Sequence, residues 1–269
     1  MLVASHEERR VEAWIAPREG AFRCPECAEP VVLKRGRIRI AHFAHRSRAA
    51  CRWAAGETLA HLAAKRAIAE ALAARGLRAG VECVVPGLAG DRRADVVAWS
   101  PTGVRVAIEL QHVAIGLDEL ERRAEAYAAA GVAQMWVPFL RLGLVEGADR
   151  PEADGDRRLA AYAARPFERW IDGFNEGGLW YWDPASSALW RGRLVSPGVL
   201  GGHRSGPDSG PWSSRRAYEL TLWGPFAPAD VRLALDRRRA WRRRLYAWPA
   251  GRRARFVPRD DSPSPRGRA

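Results

Sequence analysis

The chain predicts an α/β protein with a mixed sheet, preceded by a small cysteine- and histidine-rich module and followed by a Trp- and Arg-rich region of no evident class. Three observations predict it. Residues Glu57 to about Arg75 are Ala- and Leu-rich with no proline, the runs 93–99 and 104–111 alternate apolar and polar residues, and Leu117 to Ala130 reads as a helix leading into an apolar strand near Gln134 to Phe139. A helix that crosses over to an apolar strand gives a layered α/β sandwich.

Residues 1–52 form the first module, with strands expected near Val11 to Ile15 and Arg37 to His42. Three of the four cysteines and two of the six histidines, Cys24, Cys27, His42, His45 and Cys51, fall within 28 residues of one another. Cys-x2-Cys is a zinc-knuckle spacing, and structural Zn²⁺ takes four such ligands tetrahedrally. Five candidates compete for four positions: Cys24 and Cys27 with two of His42, His45 and Cys51. His45 and Cys51 are favoured, which frees His42 to pack or to touch nucleic acid. The alternative is a reduced, metal-free module built around a buried Phe43. No thioredoxin-like βαβ pattern surrounds the cysteine pair, which argues against a redox role.

Residues 53–142 form the core domain. Its first helix stops at Gly76, a glycine suited to a helix C-terminus. Glu57, His61 and Lys65 lie four residues apart and share one face of that helix. Each taken singly reads as an ordinary surface residue. However, Lys34 and Lys65 are the two lysines among 44 basic residues, and a lysine kept in an arginine background points to a position that needs lysine. Next comes an apolar strand near Val81 to Val85, in which Cys83 reads as a core thiol.

The two alternating runs that follow read as a hairpin joined through Ser100-Pro101-Thr102-Gly103. A three-residue loop ending in a left-handed glycine pairs Ser100 with Val104, and so Asp95 with Glu109. One face then carries Ala94, Val96, Ala98, Val104, Val106, Ile108 and Leu110, and the other Arg93, Asp95, Glu109 and Gln111. Like charges opposed on paired strands are destabilising, and a bound divalent cation accounts for them. A loop of two or four residues would instead put the carboxylates on opposite faces. Carboxylates supplied in the order helix, strand, turn, strand suit a metal-dependent phosphodiesterase.

Residues 143–269 begin with a Gly-, Asp- and Pro-rich linker, Val145 to Arg157. Leu179-Trp180-Tyr181-Trp182, a turn at Asp183 to Ser187, and Ala188 to Leu194 suggest a hairpin. Its tryptophans are suited to stacking on unpaired bases, although buried core is the commoner place for tryptophan. Gly201 to Ser214 reads as a mobile loop. The formal charge is +13, and from Val231 onward 13 arginines face 3 aspartates, so +10 of it lies in the last 39 residues. Arg237, Arg238 and Arg239, with Arg242, Arg243 and Arg244, flank Trp241 in what reads as a basic helix, followed by a disordered Ser262-Pro263-Ser264-Pro265-Arg266 tail. A polyanion is the fitting partner, held with salt-sensitive affinity. A solvated tail in an arginine-rich proteome is the alternative.

No apolar stretch reaches the 18 or so residues of a membrane span, so no membrane insertion is expected. With charge by residue 7 and no signal-peptide core, the expected location is the cytoplasm, where thiols stay reduced or bind metal. No internal repeat and no phosphate-cradling loop is present, which argues against a motor.

Six short motifs in order, Phe22-Arg23-Cys24-Pro25-Glu26-Cys27, His42-Phe43-Ala44-His45, Glu57-x3-His61-x3-Lys65, Arg92-Arg93-Ala94-Asp95-Val96, Ile108-Glu109-Leu110-Gln111 and Arg123-x3-Tyr127, resemble the CoiA-like competence protein family over roughly residues 11–140. That family is assigned to the PD-(D/E)XK nuclease superfamily and associated with natural transformation. The resemblance implies a restriction-endonuclease-like core, a zinc-ribbon-like N-terminal module, Glu57, Asp95 and Glu109 as metal ligands, and Gln111 where the superfamily usually has lysine. Val113 stands where the family often has serine.

The chemistry then expected is hydrolysis of DNA phosphodiester bonds. Asp95 and Glu109, with the Leu110 carbonyl, would hold Mg²⁺ or Mn²⁺, and Glu57 would complete the shell. Gln111 is neutral and suited to orienting a water, Lys65 to supplying the missing cation, and His61 to positioning phosphate or water. Arg93 joins the C-terminal arginines as a nucleic-acid contact. The partners implied are DNA and proteins of recombination or uptake. The alternatives are a non-catalytic nucleic-acid-binding accessory protein and a restriction or anti-phage nuclease.

Overall fold

The structure is a computed structural model that describes residues 1–46, 51, 53, 57–85, 92–150, 156–196, 217–243 and 246–259. The chain forms two compact units, Met1–Leu110 and Gln111–Ala269.

The first unit opens with β1 (Val3–His6), β2 (Arg9–Glu12), β3 (Phe22–Arg23), β4 (Pro30–Lys34) and β5 (His42–His45). They form an antiparallel sheet in the order β2-β1-β3-β4-β5. The two strands expected near Val11 to Ile15 and Arg37 to His42 are displaced. β2 ends at Glu12, whose carbonyl accepts the Ile15 and Ala16 amides in a turn, and the Arg35 guanidinium fastens that turn by donating to the Ala13 and Ala16 carbonyls. Ile15 and Ile38 are accordingly exposed, at 66% and 99%. Phe43 is the buried centre of β5, with its ring tilted against that of Phe22 at a centroid distance of 5.0 Å.

Helix α1 spans Leu59–Ala73, and the Thr58 hydroxyl caps it by accepting the His61 amide. It ends where Gly76 adopts φ +75 and the Leu77 amide returns to the Leu72 carbonyl, a glycine-terminated C-cap. Leu62, Ile68 and Leu72 are buried along one face, and α1 packs on β6 (Arg78–Val85) and β7 (Arg92–Trp99). Each such aliphatic side chain contributes roughly 1.5–3 kcal/mol by leaving water.

β7 pairs antiparallel with β6 on one side and with β8 (Arg105–Gln111) on the other. The β7–β8 loop is the three-residue turn expected: Gly103 has φ +78, and the Ser100 amide donates to the Val104 carbonyl at 2.9 Å. Pairing runs from Trp99↔Arg105 to Val96↔Ile108, the register expected, and the ladder stops one step short of Asp95 and Glu109. Ala94, Val96, Ala98, Val106, Ile108 and Leu110 are all buried.

β6 departs from simple alternation. Glu82 has φ +51 and falls between the pairs Val81↔Val96 and Cys83↔Ala94, which sets it opposite Asp95. Its carboxylate is buried, whereas Cys83 is half-buried and Val84 is 46% exposed. The thiol expected in the core yields that place to the acid because the left-handed residue redirects the strand.

The second unit contains α2 (Leu117–Ala129), β9 (Ala133–Pro138), β10 (Arg157–Tyr162), α3 (Pro166–Phe174), β11 (Leu179–Asp183), β12 (Ala188–Val195), β13 (Tyr218–Phe226), β14 (Val231–Arg238), β15 (Trp241–Arg243), β16 (Tyr246–Trp248) and β17 (Gly251–Pro258). β10, β13, β12 and β11 form an antiparallel sheet in that order, while β17 pairs parallel with β9 and antiparallel with β14, so the pairing is mixed. The β11–β12 hairpin is the one expected, and Trp180, Trp182 and Trp190 are buried core rather than base-stacking surfaces.

The basic helix expected around Arg237 to Arg244 is instead strand: β14 ends at Arg238 and β15 begins at Trp241. Six arginines at helical spacing would repel one another. The run from Val231 to Leu235 sets apolar residues two apart, as a strand does, and at its end Arg238 is buried while Arg237 is exposed. The loop Gly201 to Ser214, the Ser262 to Arg266 tail and residues 151–155 of the linker lie outside the described residues.

Candidate active site

Glu57 stands just before the N-cap of α1, and His61 and Lys65 follow at successive four-residue steps. That spacing turns both toward β7 and its Asp95. His61 Nε2 donates to Asp95 Oδ2 at 3.1 Å, and the Leu110 amide donates to the same oxygen at 2.8 Å. Glu57, His61 and Asp95 each offer a ligand atom within 4.8 Å of the others. Glu109 follows Ile108 in β8 and is buried, but it lies outside that group of three.

Lys65 is 0% exposed. Its ammonium donates to Glu57 Oε1 at 2.6 Å and to Glu82 Oε1 at 2.5 Å, with Asp95 Oδ1 at 3.9 Å. The other Glu82 oxygen accepts the Leu2 amide at 2.8 Å. Burial alone would lower the Lys65 pKa, but the charges of Glu82, Asp95 and Glu57 raise it above its ordinary value. Burial would likewise raise Glu57, yet Lys65 and Arg93 bring it down to about 2. Asp95 also ends below its ordinary value, because its bond from His61, the Lys65 charge and the Leu110 amide outweigh burial. These acids are therefore ionised at neutral pH.

Arg93 lies over the Trp53 ring at 4.4 Å and donates from Nη2 to Glu57 Oε1 at 3.3 Å. Two buried atoms here have no hydrogen bond, Glu57 Oε2, which lies 3.7 Å from the Met1 ammonium, and Arg93 Nη1, which lies 3.9 Å from Glu82 Oε2. A carboxylate oxygen and a guanidinium nitrogen left in this state fit a cation and an anionic oxygen respectively. Gln111 is also buried, and its amide donates to the Val113 carbonyl.

Sequence reasoning missed Glu82. The available signal was one carboxylate inside the apolar run Val81 to Val85, at the position opposed to Asp95.

The N-terminal cluster is resolved by geometry. Cys24, Cys27, His45 and Cys51 bring their ligand atoms within 4.8 Å of one another, whereas His42 Nδ1 is spent on the Ile40 carbonyl at 2.9 Å. Cys24 lies at the turn after β3, where its amide bonds to the Glu29 carbonyl and its carbonyl accepts the Ala28 amide. Cys24 Sγ and Cys51 Sγ are 3.8 Å apart, and Cys27 Sγ and His45 Nε2 are 3.3 Å apart. Tetrahedral bonding at usual zinc distances puts two sulfurs about 3.8 Å apart and sulfur and nitrogen about 3.6 Å apart. The donor set therefore fits one small tetrahedral cation. Burial pushes the Cys24 thiol up to about 11, against hydrogen bonds from backbone amides that lower it.

Among the C-terminal arginines, Arg237, Arg239 and Arg242 are exposed, while Arg238 is buried against the Gly173 and Phe174 carbonyls and the Trp248 ring. Arg238 is thus structural and not the nucleic-acid contact expected. Arg243 continues β15, and Arg244 lies outside the described residues. No helix among the described residues is long and apolar enough to cross a membrane.

The model of the competence protein CoiA N-terminal domain matches residues 4–54, and that of the competence protein CoiA nuclease-like domain matches residues 57–141. No curated protein matches. Among solved structures, the crystal structure of a protein of unknown function, AF1548, aligns at 20% identity and a TM-score of 0.25 over 30% of this chain and 47% of that one, about half of that protein's length. The nuclease-like match contains Glu57, His61, Lys65, Glu82, Asp95 and Glu109, and the N-terminal match contains all four members of the cysteine–histidine cluster. With both domain models matched in order over residues 4–141, the chain belongs to the CoiA-like competence protein family.

Proposed function

We propose that this chain is a metal-dependent nuclease that hydrolyses phosphodiester bonds of DNA in the uptake, recombination or processing of incoming strands. The observation that carries the reading is the clustering of Glu57, His61 and Asp95, whose ligand atoms lie within 4.8 Å of one another, with Glu57 Oε2 making no hydrogen bond and lying 3.7 Å from the Met1 ammonium. Asp95, Glu57 and Glu109, with the Leu110 carbonyl, would hold Mg²⁺ or Mn²⁺. When bound, the cation supplies Lewis-acid polarisation of the phosphate and an attacking water of lowered pKa.

The chain's own residues do the rest. His61 orients the Asp95 carboxylate, and the Leu110 amide fixes the same oxygen. Lys65 holds Glu57 and Glu82 in place from inside the fold, and its charge favours the ionised forms of Glu57 and Asp95. Arg93, braced on Trp53, offers Nη1 to a phosphate oxygen. Cys24, Cys27, His45 and Cys51 hold a structural Zn²⁺, in the cytoplasm where thiols stay reduced.

A second reading is a nucleic-acid-binding accessory protein without turnover. It is favoured by Gln111, a neutral residue whose amide is already committed to Val113. Incubating single- and double-stranded DNA with the protein in Mg²⁺ and in Mn²⁺ separates the two. Cleavage that disappears in Asp95→Ala and Glu109→Ala supports the nuclease, and binding without cleavage in either metal supports the accessory protein.

A further inference from the structure

The second unit holds an aromatic and basic surface that the nuclease reading does not use. β15 and β16 form a short hairpin in which Trp241 pairs with Trp248. Their rings stack at 4.8 Å and 15°, with Trp248 buried and Trp241 49% exposed. The hairpin is firmly seated. Trp248 Nε1 donates to the Trp170 carbonyl at 2.9 Å, Trp170 Nε1 donates to the Ala247 carbonyl at 3.0 Å, and the Ala247 amide donates to Glu121 at 2.7 Å. Gly173 gives the Trp248 ring its space, since a Cβ there would overlap it. A large ring is thus held rigidly at the surface with one face covered by a buried partner.

The charge around it is uncompensated. At the end of the β14–β17 ladder from which the hairpin emerges, Arg237 is paired directly with Arg252, and both are exposed. Like charges so placed destabilise a sheet unless something neutralises them. Arg239 and Arg242 are also exposed, and none of these four makes an ion pair among the described residues. The nearest acid in the sequence, Asp236, is taken by Arg253 and Arg255.

We propose that this surface binds single-stranded nucleic acid, with Trp241 stacking on an unpaired base and Arg237, Arg239, Arg242 and Arg252 contacting the flanking phosphates. A flat ring accepts a base only when the base is unpaired, and arginines supply the sequence-independent part of the affinity. The proposal rests on the reading of this chain as a nucleic-acid-processing protein and narrows its substrate to one with unpaired strand. Electrostatics alone would serve a duplex equally, and the rigid exposed tryptophan is what selects against it.

The test is fluorescence anisotropy of the full, zinc-loaded chain with labelled oligo-dT and with a duplex, without added Mg²⁺ or Mn²⁺ so that cleavage plays no part. Trp241→Ala should weaken oligo-dT binding by about 5- to 150-fold, the range of one base–aromatic stack, with less than about twofold change on the duplex. Equal losses on both, or no loss, overturn the proposal, as does displacement of oligo-dT by polyglutamate as readily as by unlabelled oligo-dT. Should Trp241→Ala lose its near-UV circular dichroism, the Arg237→Ala/Arg252→Ala variant decides. Its salt dependence on oligo-dT should flatten by roughly 0.7 per lost contact, and an unchanged slope overturns the phosphate contacts. Binding is read here without the cleavage metal, and the nuclease reading is read by metal-dependent cleavage, so failure of this site and failure of that reading are distinguished.

Discussion

Lys65 Nζ lies 2.5 Å from Glu82 Oε1 with both side chains shut away from water, and the same ammonium reaches Glu57 at 2.6 Å. One lysine on α1 therefore ties the acid before the helix to the acid at the irregular position of β6. Both carboxylates share one ammonium, and that counter-charge is built into the helix. The candidate site is consequently preassembled by the fold.

Removing that lysine should cost stability before it is felt in chemistry. Lys65→Met leaves Glu57 and Glu82 buried without their counter-charge, a change that typically costs about 3–5 kcal/mol. Pairing it with Glu82→Gln should recover part of the loss, because the uncompensated charge goes with it. Urea denaturation of the two single variants and the double variant measures this. Strictly additive losses would show that the two residues do not act as a pair.

The acids also set a pH dependence. Glu57 ordinarily titrates near 4.5 and is held at about 2 here, and Asp95 is held below its ordinary 3.8. A depressed carboxylate stabilises the fold fully above its ordinary pKa, and that contribution is lost as pH falls through the folded value. Stability of the first unit should therefore decline from about pH 4.5 toward pH 2, by on the order of 3 kcal/mol for Glu57. Lys65 acts at the other end. Its raised pKa contributes below 10.5 and is lost only as pH climbs through the elevated value, so it leaves the acid limb alone. Urea midpoints between pH 7 and pH 2 should show a shallower decline for Glu57→Gln than for the unaltered chain.

The cysteine–histidine cluster predicts a particular pattern of metal content. The protein purified without chelator should carry about one Zn²⁺ per chain. Cys24→Ser and His45→Ala should lose it, and His42→Ala should keep it, because His42 is turned to the Ile40 carbonyl. Loss of metal should also lower the thermal midpoint of the N-terminal sheet, since structural zinc binding is coupled to folding. Elemental analysis of the three variants checks the assignment. Retention of zinc in His45→Ala with loss in His42→Ala would reverse it.

Most of the first unit was legible in the sequence because its signals are local. Gly103 dictates a three-residue loop, and that loop dictates the β7–β8 register seen from Trp99↔Arg105 to Val96↔Ile108. The sequence also favoured His45 and Cys51 beside the knuckle cysteines, and these four bring their ligand atoms within 4.8 Å of one another. Glu82 was hidden because it breaks the alternation that the reading relied on: its left-handed backbone turns a carboxylate inward where the pattern offered Cys83. The arginine runs near Trp241 misled for a different reason. Their density suggested a solvated helix, whereas the alternation of Val231, Leu233 and Leu235 in the preceding segment carried the strand. Which arginine turns inward is decided by Gly173 and Phe174, more than 60 residues away in sequence, and no local pattern reports that.

Metal-dependent cleavage by the Asp95→Ala and Glu57→Gln variants, each compared with the unaltered chain on single-stranded DNA in Mn²⁺, tests the central claim most directly. The account predicts cleavage by the unaltered chain that is lost on chelation, with a fall of at least about 100-fold in each variant while zinc content is retained, the scale expected when electrostatic stabilisation of a transition state is removed. Cleavage that survives both substitutions, or none by the unaltered chain in either Mg²⁺ or Mn²⁺, would contradict it.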